Sequence, residues 1–281
     1  MHLIKFEDFF FRYKGNEEYA LNNINLKIGR NKFILLAGET GSGKTSLIRC
    51  MNGLIPQFYA GYYKGSVEVV GKDTITTSIA DLSTEVGLVF QNPENQLIAM
   101  NIEHEIAFGM ENIGLKKELI KEKLENLMQL TEITRIADRA PFEISGGEQQ
   151  RVAIASILAL DPKIIVLDEP TANLDPLFAQ KIIMLLKKIQ EEKELTIIIS
   201  EHRMDLVIPI VDEIILMKQG KILAHDKKEN IVNSKEFETL EINKPVIYSI
   251  FNQLKRENLI HTNLPTSIND AVSILKEHNL G

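Results

Sequence analysis

The sequence has 281 residues, of which 44% are hydrophobic and 25% charged, proportions typical of a globular protein with one large or two modest domains. Its formal net charge of −7 argues against nucleic acid as the main partner, because phosphate backbones are bound by clustered positive charge. The single cysteine, Cys50, excludes a disulfide framework, and no apolar run approaches the roughly 18–20 residues of a membrane helix. These properties predict a reduced, soluble, intracellular α/β protein.

The first 90 residues are predicted to be rich in strands. Apolar and polar residues alternate through residues 1–30, which favours antiparallel strands. A buried strand at 32–37 leads into a glycine loop and then a helix from residue 44 to about residue 52. Two further strands are expected at 66–70 and 85–90.

The rest of the chain is predicted to contain more helix. Between about residues 95 and 138, apolar residues recur at helical spacing, which predicts an inserted helical subdomain. Helices at 147–160 and 176–191 then alternate with strands, up to a turn at residues 219–220. This alternation indicates a mostly parallel sheet with helices on both faces. The last ~50 residues form two amphipathic helices by the same periodicity.

A phosphate-binding loop is predicted at residues 38–45, which match G-x-x-x-x-G-K-[ST] at every fixed position between a strand and a helix. Its backbone N–H groups and the helix N-terminus favour an anion. Lys44 would reach the β- and γ-phosphates, and the Thr45 hydroxyl would hold Mg²⁺. The alternative is an ordinary glycine turn. The predicted nucleotide contacts here are Gly38, Glu39, Thr40, Gly41, Ser42, Gly43, Lys44, Thr45 and Ser46.

Two adjacent carboxylates, Asp168 and Glu169, follow an apolar strand. In a parallel sheet, ligands gather at the carboxyl ends of strands. Asp168 is therefore expected on the Mg²⁺ side, acting through a water, and Glu169 as the general base for an attacking water. A solvated turn is the alternative interpretation.

A serine–glycine helix start, Ser145-Gly146-Gly147-Glu148, has two interpretations. One is a capping box, with Ser145 as the N-cap and Glu148 three residues later. The two glycines lower helix stability unless something approaches the backbone closely, so the second interpretation is another anion site at a helix N-terminus.

Taken in chain order, the phosphate loop, the serine–glycine motif and the Asp-Glu pair resemble the nucleotide-binding subunit of an ABC transporter, over residues 1 to about 230. The family's usual signature is Leu-Ser-Gly-Gly-Gln, and this chain has Ile144 and Glu148 at its ends. Ser145, Gly146 and Gly147, which make the family's phosphate contacts, are intact.

The resemblance implies roles for further residues. Gln91 resembles the glutamine that senses Mg²⁺ and the attacking water, and His202 the switch histidine that contacts the γ-phosphate. Asp175 resembles the aspartate of the family's D-loop, although Asp175-Pro176 also suits a simple helix cap. Tyr13 resembles the aromatic residue that stacks on adenine, with an ordinary strand residue as the alternative.

Three stretches resemble one branch of the family, the ATPases of energy-coupling factor (ECF) transporters for cobalt, nickel and vitamins. They are residues 89–96, residues 105–112 and the C-terminal helices. The implied fold is an ABC-type P-loop NTPase with a mostly parallel sheet, an N-terminal antiparallel β subdomain, an inserted helical subdomain at about 95–138 and a C-terminal helical extension. We expect an ATP-binding domain at 1–230 and an extension at 231–281, which in that family contributes to dimerisation. A generic helical appendage is the alternative.

The implied function is binding and hydrolysis of ATP with Mg²⁺ to energise a membrane importer. The expected partners are a second ATPase, identical or paralogous, in a head-to-tail dimer, a transmembrane coupling subunit and a substrate-binding membrane subunit. The chain would be peripheral, at the cytoplasmic face of the membrane. The alternatives are the ATPase of another ABC importer or exporter, or a soluble ABC ATPase without a membrane partner.

Overall fold

A computed structural model describes residues 2–278. Its strands are β1 (Ile4–Tyr13), β2 (Leu21–Ile28), β3 (Phe33–Gly38), β4 (Gly61–Val69), β5 (Lys72–Asp73), β6 (Val86–Val89), β7 (Ile164–Asp168), β8 (Thr196–Ser200), β9 (Glu213–Lys218) and β10 (Lys221–Lys227). Its helices are α1 (Lys44–Met51), α2 (Leu54–Gln57), α3 (Ile79–Ser83), α4 (Ile102–Asn112), α5 (Lys117–Leu130), α6 (Gly146–Leu158), α7 (Pro176–Lys193), α8 (Met204–Val207), α9 (Lys228–Val232), α10 (Lys235–Thr239), α11 (Val246–Arg256) and α12 (Ile268–Glu277).

The strands form two sheets. A four-stranded antiparallel sheet has the order β2-β1-β4-β5, and a six-stranded sheet has the order β10-β9-β3-β8-β7-β6. In the larger sheet, β9, β3, β8, β7 and β6 run parallel, and β10 is an antiparallel partner of β9 at the edge. The mostly parallel sheet and the N-terminal antiparallel sheet predicted from the sequence are therefore both present.

Each face of the six-stranded sheet has its own apolar core, because successive side chains of a strand point to opposite faces. On one face, Phe33 and Leu35 of β3 belong to the core formed by α4, α6, α7 and the C-terminal helices. On the other face, Ile34 and Leu36 pack with α1 and with the antiparallel sheet. The second face is thus covered by α1, which begins shortly after β3 ends, and by the antiparallel sheet.

The predicted helical insertion consists of α4, α5 and short 3₁₀ turns between β6 and α6. The Asn101 side chain caps α4 by accepting a hydrogen bond from the His104 backbone N–H at 2.9 Å. The apolar residues Ile120, Leu124 and Leu127 of α5 are buried at the predicted helical spacing.

The C-terminal helices pack onto the same core as α6 and α7, through residues such as Tyr248 and Phe251. The Tyr248 and Phe237 rings meet edge to face, with their centroids 5.1 Å apart. Ser267 caps α12 by accepting a hydrogen bond from the Asp270 backbone N–H at 3.1 Å. Within residues 2–278, no helix combines the length and the apolar character needed to cross a membrane.

Candidate functional site

The phosphate loop joins the end of β3 to the start of α1, as predicted. Lys44 is buried, and its Nζ donates hydrogen bonds to the backbone oxygens of Gly38 at 2.9 Å and Glu39 at 3.0 Å. Burial lowers the pKa of Lys44, while the nearby carboxylates of Glu169 and Asp168 act in the opposite direction. The ammonium group therefore lies inside the loop, close to the two carboxylates predicted to act with it.

The close approach of neighbouring backbone explains two of the loop's glycines. A Cβ at Gly43, whose φ is +103°, would lie 2.6 Å from the Ala20 carbonyl oxygen. A Cβ at Gly38 would lie 2.4 Å from the Met217 carbonyl oxygen. At Gly41 the added atom would meet open space. The buried Ser42 hydroxyl has no hydrogen-bond partner, so the loop holds an unsatisfied polar group where a phosphate is expected.

An open cavity of about 340 Å³ lies beside this loop. It is lined by Tyr13, Asn16, Ala20, Thr40, Gly41, Gly43, Lys44, Thr45, Ser46 and Glu169. The Tyr13 hydroxyl forms a 3.0 Å hydrogen bond with the Ser46 hydroxyl. The structure thus brings together the predicted adenine platform, the phosphate loop and the predicted base around one space.

Three predicted residues meet in one hydrogen-bonded group. The Gln91 side-chain amide donates to one Glu169 carboxylate oxygen at 3.0 Å, and His202 Nε2 lies 2.9 Å from the other. These residues follow β6, β7 and β8, which are neighbouring parallel strands. The carboxyl ends of these strands meet at one edge of the sheet. Gln91 and His202, which are 78 and 33 positions from Glu169 in the sequence, therefore lie beside it.

Two further residues organise this edge and were not predicted. The Ser200 hydroxyl donates to Asp168 at 2.7 Å and accepts from the Glu169 backbone N–H at 2.9 Å. The buried Glu201 carboxylate accepts hydrogen bonds from Thr171 and from the His202 backbone N–H. The sequence signal that could have identified them is their position at the end of an apolar strand, where ligands gather in a parallel sheet.

The Glu39 carboxylate contacts two distant parts of the chain. It forms a 3.1 Å ion pair with Lys218 and accepts a 3.2 Å hydrogen bond from the Glu241 backbone N–H. These two contacts lower the pKa of Glu39, with the Lys218 contact as the larger cause. The second residue of the phosphate loop therefore lies against the chain just beyond α10.

The serine–glycine motif forms the predicted capping box at the start of α6. Glu148 accepts hydrogen bonds from the Ser145 backbone N–H at 3.0 Å and hydroxyl at 2.8 Å, and Ser145 accepts from the Glu148 N–H at 3.4 Å. The hydrogen bonds from Ser145, the backbone one first, lower the pKa of Glu148. Gly146 is exposed, whereas a Cβ at Gly147 would lie 2.8 Å from the Phe178 ring. The close approach that explains Gly147 is therefore made by α7.

Asp175 is the N-cap of α7, where it accepts hydrogen bonds from the Leu177 and Phe178 backbone N–H groups at 3.0 and 3.1 Å. The simple capping interpretation is thus correct as structure. Next to it lies a second cavity of about 140 Å³, whose lining residues are Gln91, Asn92, Pro93, Glu94, Gly146, Gln149, Gln150, Pro170, Asn173 and Leu174. The predicted site residues hence fall into two groups, one around the phosphate loop and one around the start of α6.

This chain is similar to known proteins of one family. Residues 21–172 match the family model described as ABC transporter. A putative ABC transporter ATP-binding protein of Pyrococcus horikoshii is 38% identical over 277 residues, which cover 98% of this chain and 97% of the relative. Some relatives are longer: this chain spans 46% of a 37% identical putative ABC transporter ATP-binding protein of Methanosarcina mazei.

Solved structures are also similar. CbiO1 from Clostridium perfringens, described as part of the ABC transporter complex CbiONQ, superposes with a TM-score of 0.76 at 30% identity, covering 91% of this chain and 97% of that one. An ATP-binding cassette solved as a dimer in a post-hydrolysis state, with ADP and Pi, gives a TM-score of 0.68 at 29% identity, covering 81% and 99%. The fold is the ABC-type P-loop NTPase fold. The chain belongs to the ATP-binding proteins of ABC transporters, and it is an ATPase.

Proposed function

We propose that this chain energises a membrane importer of the ECF type, which takes up a micronutrient such as a vitamin or a cobalt or nickel ion. The observation that carries the proposal is the similarity to CbiO1, which covers 91% of the chain. Residues 1–230 make up 230 of the 281 residues, which is a smaller share than the 91% that matches CbiO1. The match to CbiO1 therefore extends into the C-terminal extension. The post-hydrolysis cassette covers 81%, about the share of the ATP-binding domain alone.

Hydrolysis on this proposal uses the group around Glu169. A water attacks the γ-phosphorus and gives its proton to a Glu169 oxygen, while the bond from the γ-phosphorus to the leaving oxygen of ADP breaks. His202 and Gln91 are within hydrogen-bond distance of the same carboxylate, so they orient it and lie ready to contact the γ-phosphate and the water. Lys44 binds the β- and γ-phosphates, and Tyr13 stacks on adenine.

Mg²⁺ is expected to be held by Thr45, Gln91 and Asp168, whose oxygen atoms suit this cation. Over residues 2–278, no group of three or more His, Cys, Asp or Glu side chains is arranged to hold a metal. In nucleotide sites, Mg²⁺ is usually held by one or two protein side chains together with phosphates and water. When bound, Mg²⁺ neutralises charge that develops on the phosphates.

The start of α6 is proposed to serve the nucleotide of a second ATPase. This start consists of Ser145, Gly146, Gly147 and Glu148, of which Gly146 lines a cavity separate from that of the phosphate loop. In a head-to-tail dimer, the exposed Gly146 backbone and the Ser145 hydroxyl would contact the γ-phosphate bound by the partner's loop, with Asp175 nearby. Each site would then be complete only across the dimer.

The C-terminal extension, residues 231–281, is proposed to support this pairing. It contributes buried side chains to the core, yet two apolar pairs at i, i+4 spacing remain exposed: Val246 with Ile250, and Ile268 with Val272. Exposed apolar patches of this kind mark interaction surfaces. The proposed boundary at residue 230 lies within α9, so it separates two proposed functions, ATP binding and pairing, and does not coincide with a break between folded units.

A second exposed apolar surface supports contact with the membrane subunits. Ile98, Met100 and Phe142 are 71%, 86% and 85% exposed. Backbone hydrogen bonds from Ile102 and Glu103 to residues 139 and 137 join the two segments that carry them. Ile98 and Met100 follow shortly after Gln91 in the chain, and the surface belongs to the helical insertion. On this proposal, the motion of dimer closure is transmitted through the insertion to a transmembrane coupling subunit. The chain would therefore act at the cytoplasmic face of the membrane.

The test is purification of the tagged chain from detergent-solubilised membranes. We expect a transmembrane coupling subunit and a small substrate-binding membrane protein to co-purify, and ATP hydrolysis to depend on them. If the chain remains in the soluble fraction with full ATPase activity and no membrane protein, the importer proposal is wrong and the soluble ABC ATPase is favoured.

Head-to-tail pairing is tested by mixing two variants that each impair one component of the site, Lys44→Met and Ser145→Arg. Each homodimer lacks one component at both sites, whereas the mixed dimer has one intact site. We expect the mixture to hydrolyse ATP clearly faster than either variant alone. An absence of gain after subunit exchange rules out pairing between identical copies, and the same design then applies to a co-purifying paralogue.

A further inference from the structure

The hydroxyl of Tyr13 is held by the helix that starts at the phosphate loop. Ser46 and Arg49 of α1 are three residues apart and so lie on one face of the helix. The Ser46 hydroxyl lies 3.0 Å from the Tyr13 hydroxyl, and Arg49 donates a hydrogen bond to the same atom at 3.4 Å. The ring on β1 is therefore attached at its far end to α1.

Arg49 is in turn held by an aromatic face. Its guanidinium carbon lies 4.2 Å from the centroid of the Tyr59 ring, a cation–π distance. The buried Nε of Arg49 has no hydrogen-bond partner, so the ring of Tyr59 and the hydroxyl of Tyr13 are what orient this cation. A guanidinium confined in this way has little freedom to leave Tyr13.

Two aromatic rings pack against Tyr13, and two cavities border it. Phe11 and Tyr59 meet its ring edge to face, with centroids 4.8 and 6.5 Å away. Tyr13 also lines both the cavity beside the phosphate loop and a neighbouring one of about 510 Å³, which Asn16 lines as well. The ring thus stands between a space for phosphates and a space large enough for a base.

We infer that Arg49 and Tyr59 are positioning residues that fix the orientation of Tyr13 for the nucleotide base. This inference rests on the proposed stacking of Tyr13 on adenine. Neither residue touches the nucleotide. They limit the motion of the platform, so the base meets a ring already in its binding orientation, and affinity rises because less freedom is lost on binding. The contribution concerns the base and not the phosphates.

The experiment compares ATP with inorganic tripolyphosphate, both with Mg²⁺, by titration calorimetry. Arg49→Met and Tyr59→Leu are expected to weaken ATP binding by about threefold to tenfold and to change tripolyphosphate binding by less than about twofold. Steady-state assays should show a higher KM for ATP with kcat unchanged. Tyr59→Phe, which keeps the aromatic face, is the matched control and should bind ATP like the parent chain.

Two results would overturn the inference. Equal weakening of ATP and tripolyphosphate would mean that Arg49 acts on the phosphate loop, and unchanged ATP binding in both variants would mean that neither residue positions the base. If Arg49→Met does not fold, Tyr59→Leu decides the question alone.

The underlying role of Tyr13 is tested separately. The sequence contains no tryptophan, so Tyr13→Trp introduces a single indole reporter. Its fluorescence should change with ATP and not with tripolyphosphate, and Tyr13→Ala should weaken ATP binding by about tenfold. Parent-like ATP binding by Tyr13→Ala would contradict the stacking role itself, whatever the Arg49 variants show.

Discussion

The starts of α1 and α6 are both glycine-containing helix N-termini, yet their surroundings differ. The first is enclosed: Lys44 is buried in the loop, and Asp168 and Glu169 are close to it. The second faces solvent, and its charged neighbour, Glu148, is bound to its own N-cap. A helix N-terminus therefore becomes a phosphate site through the groups around it. The first has those groups within the chain, and on our proposal the second needs those of a partner.

The largest expected effect concerns the enclosed region. Glu169→Gln keeps the size of the side chain but removes the base, so ATP turnover should fall by about 10²–10⁴-fold. ATP binding should remain, because the phosphate contacts belong to other residues. Turnover is measured as phosphate release and binding by titration. Full turnover in the variant would contradict the role of Glu169 as general base.

A smaller effect is expected from Lys44→Met, which removes a charged hydrogen-bond donor from the loop. Affinity for Mg²⁺-ATP should fall about 10–100-fold, the range expected for charge-assisted hydrogen bonds. Lys188→Met, at an exposed position of α7, is the control and should leave affinity unchanged. Equal affinities in the two variants would show that Lys44 is not a phosphate ligand.

The two glycines of α6 form a matched pair. Gly147→Ala places a methyl group 2.8 Å from the Phe178 ring, so stability should fall by about 1–3 kcal/mol, and Phe178→Leu should restore part of it. Gly146→Ala meets its nearest atom at 3.8 Å, so it should keep stability and lower only turnover. Urea unfolding and phosphate release separate the two effects. Similar unfolding curves for both variants would contradict the packing explanation.

The smallest effect is a pH dependence at Glu148. Its pKa is lowered in the folded chain, so its stabilising contribution is present above the unfolded value and is lost as the pH falls through the folded value. Glu148→Gln keeps a capping-box residue without the charge. The stability difference between parent and variant, about 0.5 kcal/mol near neutrality, should therefore disappear in acid. It is measured from urea midpoints over a pH series, and a difference that stays constant would exclude the charge as its source.

The sequence predicted those parts of the protein in which a local pattern determines the structure. The parallel strands, the loop before Lys44 and the capping box of Ser145 all follow from residues close together in the chain. Ser200 and Glu201 were missed because their roles arise only when β8 lies beside β7. Short helices such as α2 and α8 have too few residues to show a period. The packing reason for Gly147 needed the position of Phe178 on another helix.

The contact between Glu39 and the Glu241 backbone has a consequence for any shortened form of the chain. A chain that ends at residue 240 would lose one of the two partners of this carboxylate, and Lys218 would be left as the other. A second hydrogen bond, from the Val246 backbone N–H to Asp205 at 2.9 Å, would be lost near the segment that carries His202. The phosphate loop and the segment after His202 are therefore both in direct contact with the C-terminal extension, and truncation at residue 240 would expose both carboxylates to solvent on that side.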